Sequence, residues 1–245
     1  MKIHGDYHTH TIYSHGIGTI EENVEEGIKK GLKEIAICDH GPGHLTYGVK
    51  REKLYEMRKE IDFLNQKYKD EGVKILLGVE ANLISYDGSI DVDDEIIEIL
   101  DILLLGYHFG ALPKTFGDFY KVYFYNFISK WNKKLEDRIK KMNTIAFIKA
   151  MDKYPVDIIT HPNAKIRVDI KELSKAAAKA NTALEINSHH GELSSENLKI
   201  ALEEDVKFYI NSDAHDPKDV GKVEKGIKIA IGANVPISRI INVEK

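Results

Sequence analysis

Short, nearly continuous apolar segments alternate along the chain with longer segments in which apolar residues recur at helical spacing. The short segments predict seven β-strands, at residues 3–8, 34–39, 74–79, 101–106, 156–160, 183–187 and 207–211. Apolar runs without alternation are typical of parallel strands that are buried on both faces. The longer segments predict helices at residues 19–30, 51–69, 119–153, 170–179, 195–204 and 219–230. The remaining connection, residues 91–100, is shorter and acidic.

The alternation of strands and helices favours an α/β fold with one parallel sheet, either closed into a barrel or open. Polar side chains follow every predicted strand within two residues, at His8, Asp39, His40, Glu80, His108, His161, Asn187 and Asp213. A barrel would direct all of these side chains to one point, whereas an open sheet would spread them along an edge. The sequence therefore favours a barrel of seven parallel strands surrounded by helices.

Length, net charge and cysteine content indicate the general class of this protein. A chain of 245 residues with no linker, repeat or low-complexity tract is expected to form a single domain, residues 1–245. The net charge of −4 gives no general attraction to nucleic acid or anionic membranes, so an anionic substrate would need a local positive site. The single cysteine, Cys38, excludes an internal disulfide. With no apparent signal peptide or membrane span, these features predict a cytoplasmic protein.

The polar residues at the strand ends are of the types that bind metal ions. Six are histidines and two are carboxylates: His8, His10, His40, His108, His161, His215, Glu80 and Asp213. Neutral imidazole suits zinc and iron, and a carboxylate can bridge two cations. In an extended segment, His8 and His10 point to the same side and could bind one ion together. A lone histidine at a strand end is usually structural, but eight such residues at equivalent positions predict a multinuclear metal site.

Other polar residues allow two interpretations. His4 is expected to be structural. His44 and the pair His189-His190 lie in glycine-containing loops, where solvent exposure or substrate contact is favoured over metal binding. Glu185 could face inward and take part in function, or it could be an ordinary polar residue of the barrel.

An aromatic segment, residues 107–131, carries 10 of the 21 aromatic residues and begins beside His108. Part of it could overhang the site and select an organic leaving group. A long helix that packs on the barrel or on another subunit is the favoured interpretation, because aromatic clusters often form cores and interfaces.

Several short motifs occur in a specific order, at residues 6–11, 13–16, 37–40, 78–80, 106–108, 160–162 and 211–215. In these motifs, and from residue 3 to about residue 240, the chain resembles the PHP (polymerase and histidinol phosphatase) family of metal-dependent phosphoesterases. The resemblance implies a distorted (β/α)7 barrel. It also implies one further ligand, His15, at a position where many family members carry Asp.

The resemblance implies three divalent metal ions, with zinc expected and manganese or iron as alternatives. One ion would be bound by His8, His10, Glu80 and Asp213, a second by Glu80, His108 and His161, and a third by His15, His40 and His215. Glu80 would bridge the first two ions, and Glu80, Asp213 and His215 are the expected catalytic residues. All nine positions are present, which argues against the inactive versions of this domain found in some replicative polymerases.

These features predict a phosphatase that hydrolyses a small phosphate monoester by attack of a metal-bridging hydroxide. Three divalent ions would outweigh the charge of two carboxylates and a hydroxide, which leaves a positive site for phosphate. Lys165 and Arg167 follow His161 and are candidate substrate contacts, although they could equally be solvated loop charges. No Ser, Cys or Asp nucleophile motif is visible, so a covalent intermediate is not favoured.

Four alternatives remain open. Two of them, a histidinol phosphatase and a nuclease resembling the PHP module of X-family DNA polymerases, are more specific forms of the same phosphoester hydrolysis. The absence of a conspicuous basic groove motif makes nucleic acid a less favoured partner than a small phosphorylated metabolite. A barrel amidohydrolase would share only the His-x-His motif. A noncatalytic metal-binding module belongs to a different class, and a homo-oligomer is compatible with all of these.

Overall fold

The computed structural model describes residues 1–129, 131–190 and 193–244. Seven parallel strands form one sheet in which neighbours follow the order of the chain. The strands are β1 Gly5–Thr9, β2 Glu34–His40, β3 Lys74–Asn82, β4 Ile102–Gly106, β5 Ile158–Ile159, β6 Ala183–Asn187 and β7 Phe208–Asn211. Each overlaps a strand predicted from the apolar pattern, so the predicted number and order of strands are confirmed.

The first and last strands complete a nearly closed barrel. A parallel bridge joins Thr9 to Ala214, and the Asn211 side chain accepts a hydrogen bond from the Tyr7 N–H at 3.1 Å. Side-chain bonds thus replace part of the regular ladder between β1 and β7. This arrangement confirms the distorted (β/α)7 barrel.

Helices surround the barrel. Their bounds are α1 Ile20–Lys29, α2 Arg51–Lys67, α3 Asp94–Ile97, α4 Phe116–Asp118, α5 Tyr125–Ser129, α6 Lys133–Lys153, α7 Ile170–Ala180, α8 Ser195–Ala201 and α9 Glu224–Gly232. A π-helical segment, Phe119–Phe124, joins α4 to α5. Thr19 and Glu22 form a reciprocal capping box at the start of α1, which satisfies backbone N–H groups that the helix leaves free. None of the helices in the described ranges is long and apolar enough to cross a membrane.

The prediction of one continuous helix over residues 119–153 is wrong. The segment contains the π-helical turn and α5, and a separate helix, α6, begins at Lys133. Asn132 has extended backbone angles, and its side chain accepts a hydrogen bond from the Leu135 N–H. Asparagine favours this N-cap position because its side chain replaces a missing backbone partner, and this local preference starts a new helix.

The aromatic segment divides between core and surface. The Tyr107 hydroxyl donates to the Val122 carbonyl at 3.0 Å, and the Tyr123 hydroxyl donates to the Ala111 carbonyl. In contrast, Phe116 and Trp131 are exposed. The expected packing against the barrel therefore accounts for only part of this segment.

Alternation along the strands separates two apolar layers. One layer fills the space between the sheet and the helices. The other fills the lower part of the barrel and contains Tyr7, Ala36, Cys38, Leu76, Ile102, Leu104 and Ile158. Residues further along the same inward-facing rows are polar. The barrel therefore has an apolar floor beneath a polar upper end.

A β-bulge in β1 changes which residues face the barrel interior. Asp6 pairs with Ile35 and Thr9 pairs with Ile37, so β1 carries one residue more than β2 over this interval. Tyr7 belongs to the apolar floor, while the ring of the next residue, His8, also lies inside the barrel beside Glu185. Because of the extra residue, the inward-facing side chains of β1 change from apolar to histidine. Bulges commonly redirect side chains in this way near functional sites.

Candidate metal centre

Glu80 lies at the centre of the polar end of the barrel. Its Oε2 atom is 3.0 Å from His40 Nδ1 and 3.4 Å from His8 Nε2. Its Oε1 atom is 3.0 Å from His161 Nε2 and 3.5 Å from His108 Nε2. One buried carboxylate therefore contacts side chains from four different parts of the barrel.

The remaining predicted ligands surround this centre. Asp213 Oδ1 lies 3.2 Å from His10 Nε2. The His215 ring centroid is 4.4 Å from that of His10 and 4.2 Å from that of His15, and the His15 ring is 4.8 Å from that of His40. The structure thus brings all nine predicted ligand residues into one cluster.

Within the described residues, four groups of side chains offer ligand atoms that lie within 4.8 Å of one another. They are His10, His15, His40 and His215; His8, His10 and Asp213; His40, Glu80 and His108; and His161, His190 and Asp213. Several members occur in two groups, as expected where neighbouring ions share a compact ligand set. The groups are similar to the three predicted ligand sets but differ from them in detail.

His190 is the one residue in these groups that was not among the predicted ligands. Its Nε2 atom lies 3.6 Å from Asp213 Oδ2, and its ring centroid is 5.0 Å from that of His161. The His190 N–H donates to Asn187 Oδ1 at 2.8 Å, which folds the loop back over the end of β6. Asn187 was visible in the sequence as a polar strand-end residue, but a loop contact of this kind has no periodic signal.

Two pairs of imidazole nitrogens face each other. The Nε2 atoms of His8 and His10 are 3.1 Å apart, and those of His108 and His161 are 3.3 Å apart. Two nitrogens at about 2.0–2.1 Å from one tetrahedral zinc ion would lie roughly 3.3 Å apart. These separations therefore fit a pair of ligands on a common ion.

Some of the buried ligand atoms are close to a partner without being aligned for a hydrogen bond. Glu80 Oε1 and His40 Nδ1 each lie 3.0 Å from a polar atom, but neither makes a hydrogen bond among the described residues. His15 Nδ1 is also buried without such a bond within the described chain. Leaving a buried polar atom unsatisfied costs about 1–3 kcal/mol, and binding a cation would remove this cost. The donor set and its geometry therefore fit divalent metal ions.

Burial and neighbouring charges divide the titratable groups into two classes. Burial lowers the pKa of His10 and His108 well below 6.5, and it lowers the pKa of His15 to about 4. For His8, burial also favours the neutral ring, but Glu185, Glu80 and Asp213 together raise the pKa well above 6.5. The pKa of His161 is also raised, because Glu80, Asp213 and Glu185 together outweigh the burial that favours the neutral ring.

The two carboxylates of the cluster remain ionised. Burial acts to raise the pKa of Glu80, but His108, His8 and other histidines hold it well below its ordinary value. For Asp213, His8 and His10 likewise outweigh burial and hold the pKa well below the ordinary value. Both side chains therefore have the charge that a cation ligand requires.

Asp39 supports the loop that carries His15. The Asp39 carboxylate accepts hydrogen bonds from the Thr11 N–H at 2.8 Å, from the Thr11 hydroxyl at 2.5 Å and from the Ser14 hydroxyl. A Cβ atom at Gly16 would lie 2.7 Å from the backbone of His10. Because the loop folds back this tightly, only glycine fits there, and His15 is held against the cluster.

A second aspartate supports the loop after β7. Asp6 accepts hydrogen bonds from the Ser212 N–H at 3.1 Å, the Ser212 hydroxyl at 2.5 Å and the Gly221 N–H at 2.8 Å. These bonds hold Asp213 at φ 56°, in the left-handed region that a non-glycine residue seldom adopts. His161 has φ 27°. Such backbone conformations cost about 1–3 kcal/mol and are concentrated at functional sites.

Asn82 orients His108. The Asn82 Oδ1 atom lies 2.8 Å from His108 Nδ1, and the Asn82 side-chain amide donates to Asp91 Oδ2 at 2.7 Å. Because the amide oxygen only accepts, His108 presents Nδ1–H to it and turns Nε2 toward Glu80. A hydrogen bond of this kind selects the imidazole nitrogen that is free to bind a metal.

A cleft of about 240 Å³ opens above the cluster. Its lining includes Lys165, Tyr47, His44, Phe109 and His189 in addition to the cluster. The structure thus places Lys165, one of the two predicted substrate contacts, beside the candidate ligands.

Arg167 does not line this cleft. Its side chain is 66% exposed, its Nε atom lies 3.9 Å from Glu136 Oε1, and it borders two separate grooves. The prediction that Arg167 contacts substrate therefore finds no support in the geometry.

The PHP domain family profile matches residues 6–189. A probable phosphatase from Thermoanaerobacter sp. (strain X514) is 34% identical over 100% of this chain and 92% of its own length. The probable phosphatase YcdX of Shigella flexneri is 30% identical over 97% of this chain and 89% of its own length. The DNA polymerase/3'-5' exonuclease PolX of Bacillus subtilis is 32% identical over 94% of this chain, but the match spans only 37% of PolX.

Solved structures of low sequence identity have the same fold. Histidinol phosphate phosphatase (HisK) from Lactococcus lactis, complexed with zinc, L-histidinol and phosphate, has a TM-score of 0.60 and 18% identity, covering 93% of this chain and 94% of that protein. The hisK protein from Listeria monocytogenes has a TM-score of 0.61 and 17% identity, covering 89% of this chain and 97% of that protein. Together with the profile match and the full-length relatives, these findings confirm the predicted resemblance: the chain belongs to the PHP domain family.

Proposed function

We propose that this protein hydrolyses a small phosphate monoester at a site that binds three divalent metal ions. At the level of enzyme class, the chain is a metal-dependent phosphatase of the PHP family, in agreement with its full-length relatives. The main support for the finer proposal is the convergence of nine candidate ligands around Glu80, with facing imidazole nitrogens 3.1 Å and 3.3 Å apart.

The proposed ligand sets follow the predicted assignment. His8, His10, Glu80 and Asp213 would bind one ion; Glu80, His108 and His161 a second; and His15, His40 and His215 a third. His190 is placed to contact either the second set or the substrate, because it lies beside both His161 and Asp213. Zinc is the preferred ion because the set is rich in imidazole, and manganese or iron would suit the same donors. Zinc is also present in the HisK structure.

Divalent ions bound here would supply a water molecule of lowered pKa and positive charge for the phosphate oxygens. The protein's own contribution is to hold Glu80 and Asp213 ionised and His10 neutral, the protonation states that cation ligands require. The lining of the cleft includes no Ser or Cys side chain among the described residues. This composition supports direct hydrolysis rather than transfer of the phosphoryl group to such a nucleophile.

The cleft suits a small substrate. Its volume of about 240 Å³ is slightly below the range of about 300–1,000 Å³ that is typical of ligand pockets. Lys165 would donate hydrogen bonds to phosphate oxygens through its ammonium group, a charge-assisted contact. Tyr47 and Phe109 provide an apolar wall that could accommodate the organic part of the ester.

A phosphate-release screen combined with metal analysis tests this function. Purified protein would be analysed for bound metals and then assayed on histidinol phosphate, other small phosphate esters and short oligonucleotides, before and after chelation. We expect bound metal and chelator-sensitive release of phosphate from at least one small ester. Stable metal binding without turnover of any substrate would instead support the noncatalytic alternative.

A nuclease is the second candidate. It is supported by the match to PolX, which is named as a 3'-5' exonuclease as well as a DNA polymerase. The oligonucleotides in the same screen distinguish it, because a nuclease would shorten them whereas a monoesterase would release only terminal phosphate.

A further inference from the structure

We propose that Glu185 is a positioning residue that holds His8 and His161 in the orientation required for metal binding. This inference rests on the proposed metal site but does not depend on the identity of the substrate. The sequence left open whether Glu185 is functional or an ordinary polar residue of the barrel. Its contacts distinguish these possibilities.

Glu185 lies inside the barrel on β6 and is fully buried. Four polar groups surround its carboxylate: His8 Nδ1 at 2.7 Å, the His161 N–H at 2.9 Å, the Asn187 side-chain amide at 2.9 Å and the Asn211 side-chain amide at 3.0 Å. Each carboxylate oxygen thus has two partners. None of these partners is a lysine or an arginine, and the titratable side chain among them is the imidazole of His8.

All four contacts require Glu185 to accept hydrogen bonds, two at each of its carboxylate oxygens. The His161 backbone N–H and the two side-chain amides can only donate to Glu185 in these contacts, and His8 donates when Nδ1 carries its proton. An ionised carboxylate accepts at both oxygens, whereas a neutral glutamine would turn an NH₂ group toward two donors. The structure therefore matches this position to glutamate by hydrogen bonding as well as by size.

The contact with His8 selects one ring nitrogen for the metal. With Nδ1–H donating to Glu185, Nε2 is the nitrogen that faces the cluster, where it lies 3.4 Å from Glu80 Oε2 and 3.1 Å from His10 Nε2. A carboxylate bonded to the distal nitrogen also increases the basicity of the nitrogen that binds the metal. Glu185 would thus set both the direction and the donor strength of His8.

The other oxygen acts on further candidate ligands. Its bond from the His161 N–H holds this residue at φ 27°, a backbone conformation that needs support from its surroundings. Asn187 donates to Glu185 and also to Asp213 Oδ2 at 3.0 Å. One carboxylate is therefore connected to His8, His161 and Asp213 without lying among the candidate ligands itself.

Glu34 provides a matched control. It lies at the opposite end of the barrel, at the start of β2, and accepts a hydrogen bond from the Tyr7 hydroxyl. Like Glu185, it is a strand glutamate, although only partly buried, and within the described residues it makes no hydrogen bond to a histidine of the cluster. The variants Glu185→Gln and Glu34→Gln remove one charge each from opposite ends of the same barrel.

The experiment measures zinc affinity by competition with a chromophoric chelator, and bound zinc by elemental analysis. We expect Glu185→Gln to weaken zinc binding by about 10- to 100-fold, the usual loss when a group that orients a metal ligand is removed. Glu34→Gln is expected to retain the wild-type affinity. Equal affinities for wild type and Glu185→Gln, or equal losses in both variants, would overturn the proposal.

A measurement on the wild-type protein keeps the proposal testable even if Glu185→Gln does not fold. The nitrogen chemical shifts of His8 in the zinc-loaded protein distinguish its two ring nitrogens. We expect a protonated Nδ1 and a metal-bound Nε2, and the reverse assignment would overturn the proposal. Neither readout depends on turnover, so failure to find a phosphatase substrate would leave this inference intact.

Discussion

The Nε2 atoms of His8 and His10 lie 3.1 Å apart inside the barrel. Two uncharged imidazole nitrogens at this distance can share only one proton, whereas a cation between them would satisfy both lone pairs. Their common direction results from the two-residue repeat of an extended strand. The β-bulge between Asp6 and Thr9 then directs this repeat to the polar end of the barrel.

The substitution His10→Ala should abolish phosphatase activity. It removes a ring from two of the candidate ligand groups, and we expect kcat/KM to fall by more than about 100-fold, beyond the usual effect of losing a supporting residue. Asp213→Ala should act in the same direction. Steady-state assays, with circular dichroism to verify folding, would measure this. His4→Ala serves as the control, because His4 lies outside the cluster, and full activity in His10→Ala and Asp213→Ala would contradict the site.

Metal binding should release protons near pH 6.5. His8 and His161 have raised pKa values in the metal-free protein, so at pH 6.5 each is more than half protonated. A cation must displace these protons, and metal affinity should therefore rise from pH 6.5 to about pH 8.5. Calorimetric titrations in buffers of different ionisation enthalpy would count the released protons. Affinity that stays constant over this range would show that the two rings are already neutral.

Removal of the metal should abolish activity and lower thermal stability. Ions that bind only the folded chain stabilise it by mass action, by about 2.7 kcal/mol at a free concentration 100 times Kd. Thermal unfolding of protein treated with chelator, and of the same sample after addition of zinc, manganese or iron, would measure the difference. The restored activity should depend on the ion, and an unchanged Tm and unchanged activity after verified metal removal would exclude metal dependence.

Asp39→Ala should destabilise the fold and loosen the loop that carries His15. The carboxylate accepts bonds from the Thr11 N–H, the Thr11 hydroxyl and the Ser14 hydroxyl. Loss of these buried bonds should cost about 1–3 kcal/mol in the free energy of unfolding. Asp62→Ala is the surface variant for comparison, because it removes an exposed carboxylate that pairs with Arg58 and should cost less than about 1 kcal/mol. Chemical denaturation would compare the two, and equal stabilities would contradict a supporting role for Asp39.

Lys165→Ala should lower kcat/KM more than Arg167→Ala does. Lys165 lines the cleft above the cluster, whereas Arg167 borders two other grooves and not this cleft. Hydrogen bonds to charged groups are worth about 1.5–3 kcal/mol, so kcat/KM should fall by about 10- to 100-fold in Lys165→Ala. Arg167→Ala is expected to retain the wild-type value. Kinetics on the best ester from the screen would decide, and the opposite ranking would assign the substrate contact to Arg167.

Much of the site could be predicted because it follows from strand periodicity. His40, Glu80, His108 and His161 lie on or directly after apolar runs, and parallel strands in a barrel carry such residues to the same end. His15 has no such signal, because it lies in a loop, and it was identified only through the family resemblance. Its position depends on Asp39, which is remote in sequence.

Local sequence patterns predicted the structure least well where a specific hydrogen bond overrode them. The polar and apolar pattern of residues 119–153 suits one helix, but the N-cap at Asn132 divides it. His190 was assigned to a loop with solvent or substrate contact, yet the fold over the end of β6 brings it to His161 and Asp213. In both cases the deciding interaction is a specific hydrogen bond that has no periodic pattern in the sequence.

By itself, the sequence determined the number and direction of the strands and the end of the barrel at which the histidines meet, because burial imposes a regular repeat on apolar residues. Only the tertiary structure decided which ring nitrogens face the centre and which residues hold them there. Glu185 illustrates the difference, since its partners His8 and Asn211 lie 177 and 26 positions away along the chain. Contacts between residues so distant in sequence are set by packing, which no local pattern records.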